Sequence, residues 1–203
     1  RDDAGNIEPV AREWPELDPT ALHGLAGDVV RAIAPHTEAD PVAILVQFLV
    51  CFGSAVGRAP HFMVEATRHG TNESIVIVGS TAKARKGTSW DQARRIFVAA
   101  DEHWSKECVA KGLSSGEGLI WAVRDEVTKH ERPRKTKECP LPQPELVVVD
   151  PGITDKRLLV VESEFATPLR VMEREGNTLS PVLRDAWDGV SLRSLVKNSP
   201  ARA

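Results

Sequence analysis

Tyrosine is absent from this 203-residue chain, phenylalanine occurs five times and cysteine three times. Five tryptophans apart, few platforms remain on which bases could stack, and nothing indicates sequence-specific base reading. Cys51, Cys108 and Cys139 are far apart, odd in number and without CxxC or Cys/His spacing. That pattern excludes a disulfide framework and a structural zinc knuckle, and the expected compartment is the reducing cytosol. His23, His36, His61, His69, His103 and His130 likewise show no metal-ligand spacing. Neither charge sign dominates: 26 Lys+Arg against 29 Asp+Glu leave a net charge of -3, which argues against a surface basic throughout and leaves room for a local basic groove. No basic, apolar and small-residue leader opens the chain. Its longest apolar stretch, Val42 to Val56, is broken by Gln47, Gly53 and Ser54 and is too short to span a bilayer comfortably. A cytoplasmic chain with no membrane partner is the expectation.

What is present is a composition 41% hydrophobic and 27% charged, enough for one large domain or two small ones with a buried core. The chain opens on Arg1 and closes on Ser199-Pro200-Ala201-Arg202-Ala203, a loop in passage, so it reads as a segment of something longer. Residues 1–13 are polar and without periodicity, a flexible lead-in. Residues 14–58 form a helical N-terminal unit. Asp18-Pro19-Thr20 is a helix start signal followed by Leu22, Leu25, Val29, Val30 and Ile33 on one face, and Pro35 ends that helix. Asp40-Pro41 opens a second helix, apolar nearly all round and therefore packed on several sides. Over 59–203, Phe62–Ala66, Ser74–Val78 and Leu158–Val161 have strand character, and the last two are continuous aliphatic runs suited to a parallel sheet covered on both faces. Trp90–Lys111 and Gly116–Thr128 read as helices, the second introduced by a Ser114/Glu117 capping box. Residues 129–146, basic and then proline-rich, read as a surface loop. No internal repeat or heptad is present.

The chemistry-bearing segment is Gly79-Ser80-Thr81-Ala82-Lys83-Ala84-Arg85-Lys86-Gly87-Thr88-Ser89, placed between a strand and a helix. That order suits a phosphate loop: successive backbone N–H groups line a concave turn, the following helix adds its positive end, and a lysine supplies a mobile charge for the β- and γ-phosphates. Lys86 is that charge, and Thr88 or Ser89 the hydroxyl for Mg²⁺. The spacing departs from the usual one by a residue, and Ala84 and Arg85 stand where a glycine is expected. An ordinary basic strand–helix turn is the plain alternative.

A phosphate loop needs a carboxylate at the tip of a neighbouring strand. Leu146–Asp150 and Leu158–Glu164 compete for that strand. Pro151–Lys156 is too short for a helical crossover, so the two are expected to pair as a hairpin. The second is the better central strand, with Glu162 ordering Mg²⁺ through water and Glu164 orienting the attacking water. Glu117 competes with Glu164 as base, while a capping role suits it equally. Asp150 reads as a turn former. Arg184, Arg193 and Lys197 follow the acidic strand, and each suits a solvated helix face or, as a resemblance to RecA-like rings would imply, a cation against a neighbour's γ-phosphate, with Arg184 the catalytic candidate among them. Lys129, Arg132, Arg134, Lys135 and Lys137 could meet single-stranded DNA phosphates or simply be solvated.

With Gly79…Lys86-Gly87-Thr88-Ser89 and Leu158–Glu164 in view, the sequence resembles a family of bacterial P-loop ATPases common in actinobacteria and mobile elements. Such proteins occur beside or fused to primase-polymerase domains, and their relatives include RepA-type and DnaB-type replicative helicases of the RecA-like class. The resemblance runs from about Trp14 through "WPELDPTALHGLAGDVV", "HTEADPVAILVQFLV", "GLSSGEGLIWAVRD", "DKRLLVVESEF" and "GNTLSPVLRDAWDG". It implies an α/β fold with a RecA-like P-loop NTPase core incomplete at its C-terminus, ATP and Mg²⁺ as ligands, a homo-oligomeric ring in the full-length form, and a helicase-like role in DNA replication. A degenerate, non-catalytic nucleotide-binding or assembly module is the alternative. The Lys86-Gly87-Thr88 order also resembles adenylate kinases and suggests a small-molecule kinase.

Overall fold

The computed structural model describes residues 15–79, 85–131, 143–194 and 202–203. The expected lead-in 1–13, Ser80–Ala84, most of the basic and proline-rich loop, and Lys197 lie outside these. The described chain is α/β, with helices carrying most of the core and the strands short.

Asp18 caps only a short 3-10 turn over Pro19–Ala21, its side chain accepting from the Thr20 N–H at 2.9 Å. The first helix, α1, starts later than the proline signal predicts, spanning Gly24–Ile33 and burying Val30 and Ile33. Leu22, at φ -90° and ψ 61°, leaves helical geometry and separates the two. Helix α2, Pro41–Val56, starts where its signal does: the Asp40 carboxylate accepts from the N–H groups of Val42 and Ala43 at 2.7 and 3.3 Å. It buries Ala43, Ile44, Leu45, Gln47, Phe48, Val50, Cys51 and Gly53 and packs against α1 and the following helix, α3, spanning Lys86–Ala100. Gly53 is a close approach: the Thr71 hydroxyl donates to the carbonyls of Gly53 and Gly57, and a Cβ on Gly53 would overlap the Thr71 carbonyl oxygen. Gly53→Ala is therefore expected to cost about 1–2 kcal/mol by overpacking, read as a lower urea midpoint at unchanged m.

The predicted helix over 90–111 is two helices. At Asp101 the backbone turns extended (φ -145°, ψ 86°), and its carboxylate accepts from the Trp104 N–H at 2.8 Å, ending α3 and capping α4, Glu102–Glu107. Strand β3, Val109–Ala110, follows at once. The predicted helix over 116–128 is shorter too, α5 spanning Gly116–Ala122. Its cap is Ser115, one residue beyond the predicted one, accepting from the Gly118 N–H at 3.0 Å. Helices α6, Ala166–Met172, and α7, Leu179–Asp188, complete the set.

Strands β1, Phe62–Val64, and β2, Thr67–His69, form an antiparallel hairpin. Strand β4, Val127–Glu131, pairs antiparallel with β5, Glu145–Asp150, so the start and end of the predicted 129–146 loop are strand. Strand β6, Leu159–Val160, pairs parallel with β3. Two expectations are thereby corrected. The Leu146–Asp150 and Leu158–Glu164 segments do not pair with each other, because each has another partner. Ser74–Val78 forms no ladder among the described residues, and Ile75, Val76 and Val78 are exposed. Each sheet described has two strands, and a continuous RecA-like sheet is not formed among the described residues. No helix among the described residues is long and apolar enough to cross a membrane.

One core cluster joins Phe48, Val50 and Cys51 of α2 to Phe97, Trp104, Cys108 and Leu159. The helical N-terminal unit thus shares its core with the residues that follow it. A second cluster lies between α1 and α2, and a third gathers Leu119, Ile120, Val123, Val182 and Leu192 around α5 and α7.

Candidate nucleotide site

Of the predicted loop, Gly79 and Arg85–Ser89 are described, and Ser80, Thr81, Ala82, Lys83 and Ala84 lie outside the described residues. Arg85 is left-handed (φ 51°, ψ 29°), a conformation that favours glycine. It ion-pairs with Glu38, which follows α1. Lys86 opens α3, and its Nζ donates to the Gly79 carbonyl at 3.4 Å. The ammonium therefore ties the two ends of the loop. Among the described residues a Cβ on Gly87 would meet nothing within 4 Å, so on that side the first turn of this 15-residue helix is open to close approach.

The two candidate hydroxyls differ in their surroundings. Thr88 lines an open cleft of about 450 Å³ with Pro35, His36, Glu38, Arg85 and Gln92. Ser89 is fully buried; its hydroxyl donates to the Lys86 carbonyl at 2.8 Å and accepts from Gln47 Nε2 at 2.7 Å. Of the two, Thr88 is the hydroxyl that lines the cleft, while Ser89 is fully buried and already makes one donated and one accepted bond.

Because β3 and β6 run parallel, their C-terminal ends reach one edge. There Glu162 Oε1 accepts from the N–H groups of Gly112 and Leu113, both at 2.7 Å, fastening the end of β6 to the end of β3. Ligands in parallel α/β sheets collect at such edges. Glu164 lies two residues beyond Glu162 and is exposed; Glu117 sits in the first turn of α5, half-buried. That turn is wedged against the start of α7: a Cβ on Gly116 would lie 2.5 Å from Thr178 Oγ1, and Asn177 Nδ2 donates to the Ser114 carbonyl at 3.1 Å. Arg184 is exposed on α7 and, among the described residues, donates within its own helix, to Ser180. Arg193 bridges to Arg202 through the backbone. Asp150 is the turn former expected, accepting from the Gly152 N–H at 2.9 Å and from the Arg124 fork. The Arg124 guanidinium, with that N–H, holds its carboxyl below the usual range.

Comparison of the chain with family models, with curated proteins and with solved structures gave no match. The site must stand on its own chemistry.

A second cluster escaped the sequence reading. Arg157 donates to the Ala55 carbonyl at 2.6 Å, to Asp101 Oδ2 at 2.7 Å and to both oxygens of Asp155. His103, Cys108 and Asp155 present ligand atoms within 4.8 Å of one another. Arg157 already occupies both Asp155 oxygens, so this grouping is an ion-paired clasp and not an open metal site. The Arg157 guanidinium holds the Asp155 carboxyl far below the usual range, while burial, and then the hydrogen bond to Asp155, push the Cys108 thiol up to about 11. Burial alone pushes Cys51 up to about 12. Both thiols are therefore neutral at physiological pH, and neither is an activated nucleophile. The only sequence signal for this clasp is the charged Asp155-Lys156-Arg157 triplet ahead of an aliphatic run.

Proposed function

We propose that the chain binds Mg-ATP through the 79–89 loop, as part of a P-loop ATPase related to RecA-like, helicase-type replication motors. The observation that carries this reading is Lys86: it stands in the first turn of a long helix, directly after a left-handed residue, with its ammonium drawn back across the loop to Gly79. The N–H groups of a helix start, a glycine in its first turn and a tethered lysine make a cradle for a polyphosphate. In this reading Thr88, on the cleft, would hold Mg²⁺ directly, and Glu162, which is at the end of β6 and not among the residues lining that cleft, would act through water. When bound, the ion would neutralise charge on the β- and γ-phosphate oxygens.

In the same reading Glu117, in the first turn of α5, and Glu164, four residues beyond β6, are the two candidates to orient the attacking water. Arg184, exposed on α7, is the cation that would meet a nucleotide on a second copy of a ring. Lys129, on the exposed strand β4, belongs to the basic stretch that would follow single-stranded DNA phosphates. The placement in primase-associated, mobile-element DNA replication rests on the sequence resemblance alone. A second reading, nucleotide binding without turnover, is favoured by Arg85, a non-glycine residue in the left-handed region at the loop's end.

The deciding experiment is equilibrium binding of a fluorescent ATP analogue with Mg²⁺ to the wild type and to Lys86→Ala, both shown folded by circular dichroism. A charge-assisted contact of this kind contributes about 1.5–3 kcal/mol, so affinity is expected to fall roughly ten- to a hundredfold. Equal affinity would remove the basis of the reading.

A further inference from the structure

We infer that Gln47 is a positioning residue for the phosphate loop, acting from the middle of α2 through Ser89 on the backbone of Lys86. The inference rests on the nucleotide reading of Lys86 and adds to it a residue outside the loop. On the buried side of α2 the neighbours of Gln47 are Ile44, Leu45, Phe48 and Cys51, all enclosed in apolar clusters. A polar amide costs desolvation there, and its Oε1 is buried with no partner among the described residues. Packing alone would be served better by leucine.

Among the described residues the amide makes one hydrogen bond, Nε2 donating at 2.7 Å to a hydroxyl 42 residues away. Ser89 completes the chain by donating at 2.8 Å to the Lys86 carbonyl. With its proton aimed at Lys86 and one of its two lone pairs taken by Gln47, the Ser89 hydroxyl is held from both sides. A hydroxyl so fixed holds the first turn of α3, and with it the origin of the Lys86 side chain, against a helix that is itself locked into the core. The relay also accounts for two adjacent hydroxyls with different surroundings: Ser89 faces inward as the anchor, and Thr88 faces the cleft.

The test is binding of the fluorescent ATP analogue with Mg²⁺ to the wild type, Gln47→Leu, Ser89→Ala and the double variant, with urea unfolding of each measured in parallel. Gln47→Leu is expected to weaken binding about tenfold, about 1.4 kcal/mol, while the protein stays folded. Ser89→Ala should do the same and the double variant no more than either, because all three break one relay. Gln47→Met serves as a second variant of similar volume if the leucine unfolds the helix. A merely structural glutamine would move the urea midpoint and leave the dissociation constant of the folded protein unchanged. Wild-type binding with Gln47→Leu within twofold, or additive effects in the double variant, overturns this inference alone. A wild type that binds no analogue overturns the nucleotide reading and this inference with it.

Discussion

Trp104→Ala is expected to lower the unfolding free energy by about 3–5 kcal/mol, the loss typical of removing a fully buried tryptophan. Trp104 has no exposed surface and lies where three elements meet: α2 through Phe48 and Cys51, α3 through Phe97, and β6 through Leu159. Its ring sits 5.4 Å from that of Phe97, inclined at 55°, and its indole N–H donates to Ser54 Oγ at 3.1 Å. Alanine would empty the centre of the cluster and release Ser54. A domain of this size is held by about 5–15 kcal/mol in total, so the variant should lose a large share of its stability. Trp104→Phe separates the two contributions, since it retains much of the ring volume and removes only the N–H. Its cost is expected near 1–2 kcal/mol. Urea unfolding at constant m reads both, and a loss under about 1 kcal/mol for Trp104→Ala would show that this cluster does not hold α2 to the rest of the chain.

The elements that could be read from the sequence are those whose causes are local. Asp40-Pro41 carries its own cap and fixed φ, and α2 begins there. The uniform apolarity of Val42–Val56 likewise announced a helix packed on several sides. Strand partners depend on contacts far along the chain, and there the reading failed. The argument that Pro151–Lys156 cannot make a parallel crossover was sound, yet β5 found its antiparallel neighbour in β4, where the Arg124–Asp150 ion pair fixes the end of the ladder. The aliphatic run Ser74–Val78 suited a strand covered on both faces, whereas Ile75, Val76 and Val78 are 40–78% exposed and the run forms no ladder among the described residues. In the candidate site, Lys86 and the hydroxyl pair stand out by their order, but nothing local tells Thr88 from Ser89. Gln47 reads in the sequence only as an interruption of an apolar stretch, because its partner is 42 residues away.

Arg157→Met should be the second most damaging of the substitutions, at about 2–3 kcal/mol at neutral pH. The guanidinium ties the end of α2, through the Ala55 carbonyl, to the α3–α4 junction at Asp101 and to the turn before β6 at Asp155. Methionine keeps most of the aliphatic volume, so the loss measures the severed polar ties and the two carboxylates left facing each other. The pH dependence distinguishes this from a packing defect. In the folded wild type the Asp155 carboxyl is held far down by Arg157, and Asp101 is held down by the Trp104 N–H and then by Arg157. Lowered carboxyl values stabilise the fold above the unfolded value of about 4, and the gain disappears as pH falls through the folded values. The gap between wild type and Arg157→Met should therefore be full at pH 7 and narrow steadily below pH 4, where both carboxylates take up protons. At the other end, the Cys108 thiol, raised to about 11, favours folding below its unfolded value of about 9 and loses that contribution as pH rises through 11. That alkaline limb belongs chiefly to burial, so it should survive in Arg157→Met and vanish in Cys108→Ala. A gap between wild type and Arg157→Met that stays constant from pH 7 to pH 3 would show that Arg157 contributes by packing and not by holding Asp101 and Asp155 ionised.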